Sequence, residues 1–155
     1  MPNLTTIEMN AWRGLLDTHG SLTRALDVEL AADGLSLTEY GVLVRVQEAG
    51  QAGIRMTELA DRLGLSGGGL TRLAHRLETQ GFLERRRCPS DGRGLEARLT
   101  EAGAKKLRRV HVRHLGAVRK RFVDKLSPTE LETLTTIWHK LAGTAPADEK
   151  ETKDD

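Results

Sequence analysis

The strongest constraint on this chain is a pair of short helical segments joined by only three residues. Thr57-Glu58-Leu59-Ala60-Asp61-Arg62-Leu63 opens on a helix-starting residue and stops at Gly64. Ser66 then caps a second segment that runs to Gly81, with Leu70, Leu73 and Leu77 inward. Gly64-Leu65-Ser66 leaves no room for a long connection, and this is the spacing of a helix-turn-helix. Directly afterwards the period changes. Residues 82–87 and 94–99 tend toward alternation, and residues 88–93, Cys-Pro-Ser-Asp-Gly-Arg, are rich in turn formers. A two-stranded hairpin placed here is a wing.

The flanking segments read as longer helices. Residues 7 to about 32 put Leu15, Leu22 and Leu26 on one stripe and Trp12, Leu16 and His19 on the next. Residues 36–39 start another helix, with Thr38 as the expected N-cap; Tyr40, Leu43, Val44 and Val46 follow until Gly50 and Gly53. Thr100 is expected to cap a long helix reaching about Leu126, with Glu101 in the first turn, where a carboxylate suits the helix dipole. Ser127-Pro128-Thr129-Glu130 starts a last helix with the apolar stripe Leu131, Leu134, Trp138 and Leu141.

The fold class expected is therefore mainly α with a small two- or three-stranded β wing. Residues 1–35 form an N-terminal dimerisation helix. Residues 36–100 form the winged helix-turn-helix lobe, with its reading helix at about 66–80 and its wing at about 82–99. Residues 101–142 give the long helix and a C-terminal dimerisation helix, and 143–155 a disordered acidic tail. The terminal helices carry apolar stripes with little chain left to cover them. A symmetric second copy burying Leu15, Leu22, Leu131, Leu134, Trp138 and Leu141 resolves this.

Composition excludes several classes. At 155 residues, 38% hydrophobic and 30% charged, the chain suits one domain of ordinary size. No run nears the 18 apolar residues of a membrane span, and the first residues lack the basic-then-apolar pattern of a signal peptide, so a cytoplasmic, nucleoid-associated protein is expected. The single cysteine, Cys88, offers neither an internal disulfide nor a metal cluster, and no metal or cofactor is expected. Gly67, Gly68 and Gly69 follow no strand and precede no lysine, so they make no phosphate loop, and no nucleophile-base pattern appears. The chain does not read as an enzyme.

Its charge is more informative than its net +2. Residues 1–61 hold 4 Lys/Arg against 9 Asp/Glu, whereas residues 62–98 hold 8 against 4 and residues 99–126 hold 9 against 2. A basic middle between acidic ends is the footprint of a polyanion binder, although a solvated basic surface has the same count.

A helix entering a major groove needs short or forked polar side chains over an apolar inner face. Ser66, Gly67, Gly68, Thr71, Arg72, His75 and Arg76 form that outer set. Arg72 suits the two acceptors of a guanine, Thr71 a thymine methyl or a base edge, and Ser66 with the first-turn amides a phosphate; His75 and Arg76 fit the backbone. The glycines give up roughly 1 kcal/mol each of helix propensity, which means either a loose first turn or close approach to DNA. In the hairpin, Arg93 at the tip suits a minor groove, Asp91 steadies it, and Arg86 faces phosphate while one neighbouring arginine braces the domain.

Leu59-Ala60-Asp61-Arg62-Leu63-Gly64-Leu65-Ser66, then Leu70-Thr71-Arg72-Leu73 through Glu84-Arg85, then Asp91-Gly92-Arg93 and Leu99-Thr100-Glu101-Ala102-Gly103 together resemble the MarR family of bacterial transcription regulators. The chain departs from that pattern at Gly67, Gly68 and Gly69 and at His75. The resemblance implies a homodimer with interleaved terminal helices, gripping a pseudo-palindromic operator. It further implies a repressor released by a small ligand, often an anionic aromatic or a lipophilic compound. For that ligand the candidates are Trp12, Leu16, His19, Tyr40, His111, Arg113, His114 and Leu115, aromatic walls with cationic handles. Two alternatives remain at this level: a non-catalytic dimeric module holding an acidic partner, and a regulator sensing pH through histidine or redox state through Cys88.

Overall fold

Most helices of this chain begin where a short oxygen-bearing side chain takes up an orphaned amide. A computed structural model describes residues 3–88 and 91–143, with residues 91–93 described by their backbone alone. Thr5 caps α1 (Thr6–Ala31), Ser36 caps α2 (Leu37–Glu48), Ser66 caps α4 (Gly67–Thr79) and Ser127 caps α6 (Pro128–Ala142). At Thr5, Ser36 and Ser127 the caps are closed reciprocally by Glu8, Glu39 and Glu130. Hydrogen bonds from Thr5 and Ser127 hold the Glu8 and Glu130 carboxyls below the usual carboxylate range. The cap of α2 is thus Ser36, not Thr38, which lies exposed inside the helix. Ser36 wins because it has a glutamate three residues on. α3 (Met56–Leu63) starts one residue before Thr57, has no side-chain cap, and ends at Gly64 with φ 63°.

Two compact units are distinguished, Met1–Ala117 and Val118–Asp155. In the first, α2, α3 and α4 pack with a three-stranded antiparallel sheet of order β1-β3-β2. β1 (Ile54–Arg55) pairs with β3 (Asp91–Leu99), and β2 (Leu83–Cys88) forms the hairpin with β3. Neither β1 nor the full reach of β3 was placed by the sequence pattern: two residues carry no period, and β3 begins at Asp91 rather than 94, pairing with Cys88 after a register shift. The core joins Leu30, Leu35, Tyr40, Val42, Leu43, Val46, Leu59, Leu70, Leu77, Leu83, Ala97, Leu107 and Val110. On α4 the buried stripe is Leu70, Ala74 and Leu77, while Leu73, expected inward, is only half-buried. That is the i, i+4, i+7 spacing of a single helix face.

α5 (Glu101–Arg121) enters over the start of the wing. Thr100 Oγ1 donates to the Gly81 carbonyl at 2.6 Å and accepts from the Gly103 amide at 2.9 Å. A Cβ at position 103 would stand 1.9 Å from the Phe82 carbonyl oxygen, so only glycine fits. The Leu-Thr-x-x-Gly pattern thus welds α5 to the end of the helix-turn-helix.

The second unit holds the end of α5, a 3-10 turn (Val123–Lys125) and α6. The long helix stops at Arg121, not near Leu126, because the chain tightens into that turn. α6 has no fully buried residue; Leu131 and Leu134 are half-buried, while Ile137, Trp138 and Leu141 are exposed. The acidic tail expected after Gly143 lies outside the described residues.

Candidate nucleic-acid interface

α4 is held by its inner leucines so that a polar face looks outward. Ser66, Gly67, Gly68, Thr71, Arg72, His75 and Arg76 are all exposed along it. Ser66 Oγ accepts from the Gly69 amide at 3.1 Å, and the amides of Gly67 and Gly68 are the first-turn donors that this cap does not take up. Thr71 donates its hydroxyl to the Gly67 carbonyl at 2.8 Å, so its methyl and lone pairs, not its proton, are left for a ligand. Arg72 has no ion-pair partner among the described residues.

Arg76, expected to fit the DNA backbone, also has a partner within the fold. Its guanidinium is spent inward on Glu39 of α2, with Nη2 donating to Oε2 at 2.7 Å. Glu39 is a residue that sequence reasoning missed; the signal was the Ser36-x-x-Glu39 spacing of a capping box.

The hairpin sorts its arginines in the same way. Arg85 grips Glu78 of α4, with Nη2 donating to Oε2 at 2.6 Å, and holds that carboxyl below its usual range. It is the bracing arginine. Arg86 stays exposed and pairs with Glu84 at 2.8 Å, and Arg87 is exposed beside it. The side chains of Asp91 and Arg93 lie outside the described residues. Cys88 is 3% exposed and its thiol donates to Glu96 Oε1 at 3.0 Å, which leaves little surface for an oxidant and weakens the redox alternative.

A second cluster lies where the end of α1 meets α5. A cleft of about 290 Å³ is lined by Glu29, Leu30, Ala32, Asp33, Val110, Arg113 and His114. Arg113 Nη1 lies 2.9 Å from Asp33 Oδ2, and Lys106 donates to the Asp33 carbonyl. The Tyr40 hydroxyl and His111 Nδ1 are hydrogen-bonded at 2.6 Å, and the Tyr40 and His114 rings stand 4.3 Å apart. His114 Nδ1 is buried without a hydrogen-bond partner among the described residues. Burial, then the neighbouring His111 charge, pushes the His114 imidazole below its ordinary pKa, against an opposing pull from Glu29. Of the candidate effector residues, Tyr40, His111, Arg113 and His114 come together. Trp12, Leu16 and His19 on α1 and Leu115 on α5 are exposed and do not line this cleft.

The remaining exposed apolar surface is concentrated on α1 and α6. Trp12 is 52% exposed, Leu15 38% and Leu16 50%, and on α6 Trp138 is 43% and Leu141 69%. Among the described residues no cluster of His, Cys, Asp or Glu fits a metal, and no helix is long and apolar enough to cross a membrane.

Residues 33–94 match the sequence model of the MarR family. Over 112 residues, 72% of this chain, the sequence is 34% identical to the transcriptional repressor MprA of Escherichia coli, and it spans 63% of that protein's length. The fold matches AbsC, a MarR family transcriptional regulator of Streptomyces coelicolor, with a TM-score of 0.87 at 34% identity, covering 92% of this chain and 97% of that one. It matches Sco3205 of the same organism, a MarR family regulator solved in complex with DNA, equally well: TM-score 0.87, 36% identity, 95% and 93% covered.

Proposed function

Because the chain belongs to the MarR family of transcription regulators, we propose that it is a non-catalytic, sequence-specific DNA-binding repressor acting as a homodimer in the bacterial cytoplasm. One observation carries the reading. α4 presents Ser66, Thr71, Arg72 and His75 on one exposed face, next in the chain to a hairpin whose Arg86 and Arg87 are also exposed. Arg72 reads a guanine edge, the Thr71 methyl packs on a thymine, and the first-turn amides with Ser66 hold a phosphate. Arg86 meets phosphate.

The second copy covers the apolar faces of α1 and α6, through Leu15, Leu22, Leu131, Leu134, Trp138 and Leu141. Two reading helices then fall about one turn of DNA apart, ~34 Å, on a pseudo-palindromic operator. The cleft at Asp33, Arg113 and His114 suits a small anionic or aromatic effector. An incoming carboxylate competes with Asp33 for Arg113, and the His114 ring, backed by Tyr40, supplies an aromatic wall.

Selection of genomic fragments by the purified protein, followed by gel shift at ~150 mM salt, tests this directly. A recovered duplex that outcompetes a scrambled one by at least a hundredfold is expected. Equal weak binding to both returns the chain to the class of modules that hold acidic partners.

A further inference from the structure

The first turn of the reading helix α4 has low helix propensity, since Gly67, Gly68 and Gly69 bring no side chains to it beside the Ser66 cap. A second tie lies further along. Glu39 has no exposed surface, whereas the Arg76 side chain that covers it is 59% exposed. The guanidinium donates from Nη2 to Oε2 at 2.7 Å, with Nε 2.5 Å from Oε1, an oxygen that is buried and has no hydrogen-bond partner among the described residues. The same carboxylate accepts from the Ser36 amide at 2.8 Å and from its hydroxyl at 2.9 Å. One buried anion therefore ties the start of α2 to the far end of α4. Turning α4 away would strand a fully buried carboxylate without its cation, so the pair resists rotation of α4 about its own axis.

Arg72 lies one turn before Arg76 on the same side of the helix. Whatever sets Arg76 also sets where Arg72 points. We infer that Glu39 is a positioning residue for DNA reading: without touching DNA, it holds Arg76 inward and thereby sets the rotation at which Arg72 and His75 meet the base edges. This rests on α4 being the reading helix.

The test compares Glu39→Gln, Arg76→Met and the double variant in the full chain, on the duplex that the unaltered protein selects from a random pool and on a scrambled duplex. A turned helix mis-seats about one base contact. Each single variant therefore loses about tenfold on the selected duplex and little on the scrambled one. The double variant loses no more than the weaker single one, because both changes break one latch. The slope of affinity against salt stays as it was. In the free protein, amide hydrogen exchange across residues 67–73 speeds up in both single variants while the global unfolding temperature still shows a folded chain.

A direct phosphate contact by Arg76 predicts the opposite: Glu39→Gln tightens binding, and Arg76→Met lowers the salt slope by about one. Either result overturns the latch, as do losses that multiply in the double variant or unchanged exchange in α4. Failure to select any duplex sinks the DNA reading instead, and the exchange data then judge the latch alone.

Discussion

At the scale of single residues, the same side-chain type does opposite work a few positions apart. Arg72 is exposed without an ion-pair partner among the described residues, whereas Arg76 and Arg85 are spent on Glu39 and Glu78. Arg72→Ala is therefore expected to lower operator affinity by ~1–3 kcal/mol and to relax preference at one base position. Binding to a set of single-base operator variants checks it, and an even loss across them all makes Arg72 a phosphate contact. Gly103 carries the other sharp prediction. With the Phe82 carbonyl oxygen 1.9 Å from where a Cβ would sit, Gly103→Ala must push α5 off the wing. A loss of about 2–3 kcal/mol in denaturant unfolding is expected, and a loss below ~0.5 kcal/mol means that the two backbones part easily. The Leu-Thr-x-x-Gly pattern was visible in the sequence as a family feature. Its reason, a helix start resting on a carbonyl, belongs to the contact.

At the scale of elements, α2 and α5 meet through Tyr40, His111 and His114. The groups facing His114 are His111 on its own helix, Glu29 from α1 and the Tyr40 ring from α2. Its folded pKa lies below the unfolded value, so the fold favours the neutral ring. As pH falls through the ordinary histidine value the unfolded chain takes up the proton first, and stability drops until the folded ring also titrates. Thermal unfolding at pH 7.5 and 5.5 is expected to show a smaller fall for His114→Gln than for the unaltered chain. An equal fall assigns the acid sensitivity to other groups. The cleft itself was half legible. Arg113 and His114, chosen with Tyr40 and His111 as aromatic and cationic residues, line it, but Asp33 and Glu29 were not chosen, because a carboxylate's partner on another helix leaves no mark in local spacing.

At the scale of the whole molecule, apolar side chains stand exposed on α1 and on α6, and the proposed second copy covers them. Leu134→Asp or Trp138→Asp is expected to turn a dimer into monomers or aggregates in sedimentation at micromolar concentration, with loss of cooperative DNA binding. A dimer that survives both changes removes α6 from the interface. The amino-acid order by itself determined the succession of helices, the three-residue turn at Gly64, the hairpin after Gly81 and the outward polar face of α4. All of these are written in short-range signals: caps, glycine stops and apolar period. Only the tertiary structure decided the third strand at Ile54 and Arg55, the burial of Ala74 over Leu73, and which arginines are left for a ligand. The physical reason is that a charge is free or spent according to what stands opposite it in space. Glu39 stands opposite Arg76 across a gap of 37 residues that no local pattern spans.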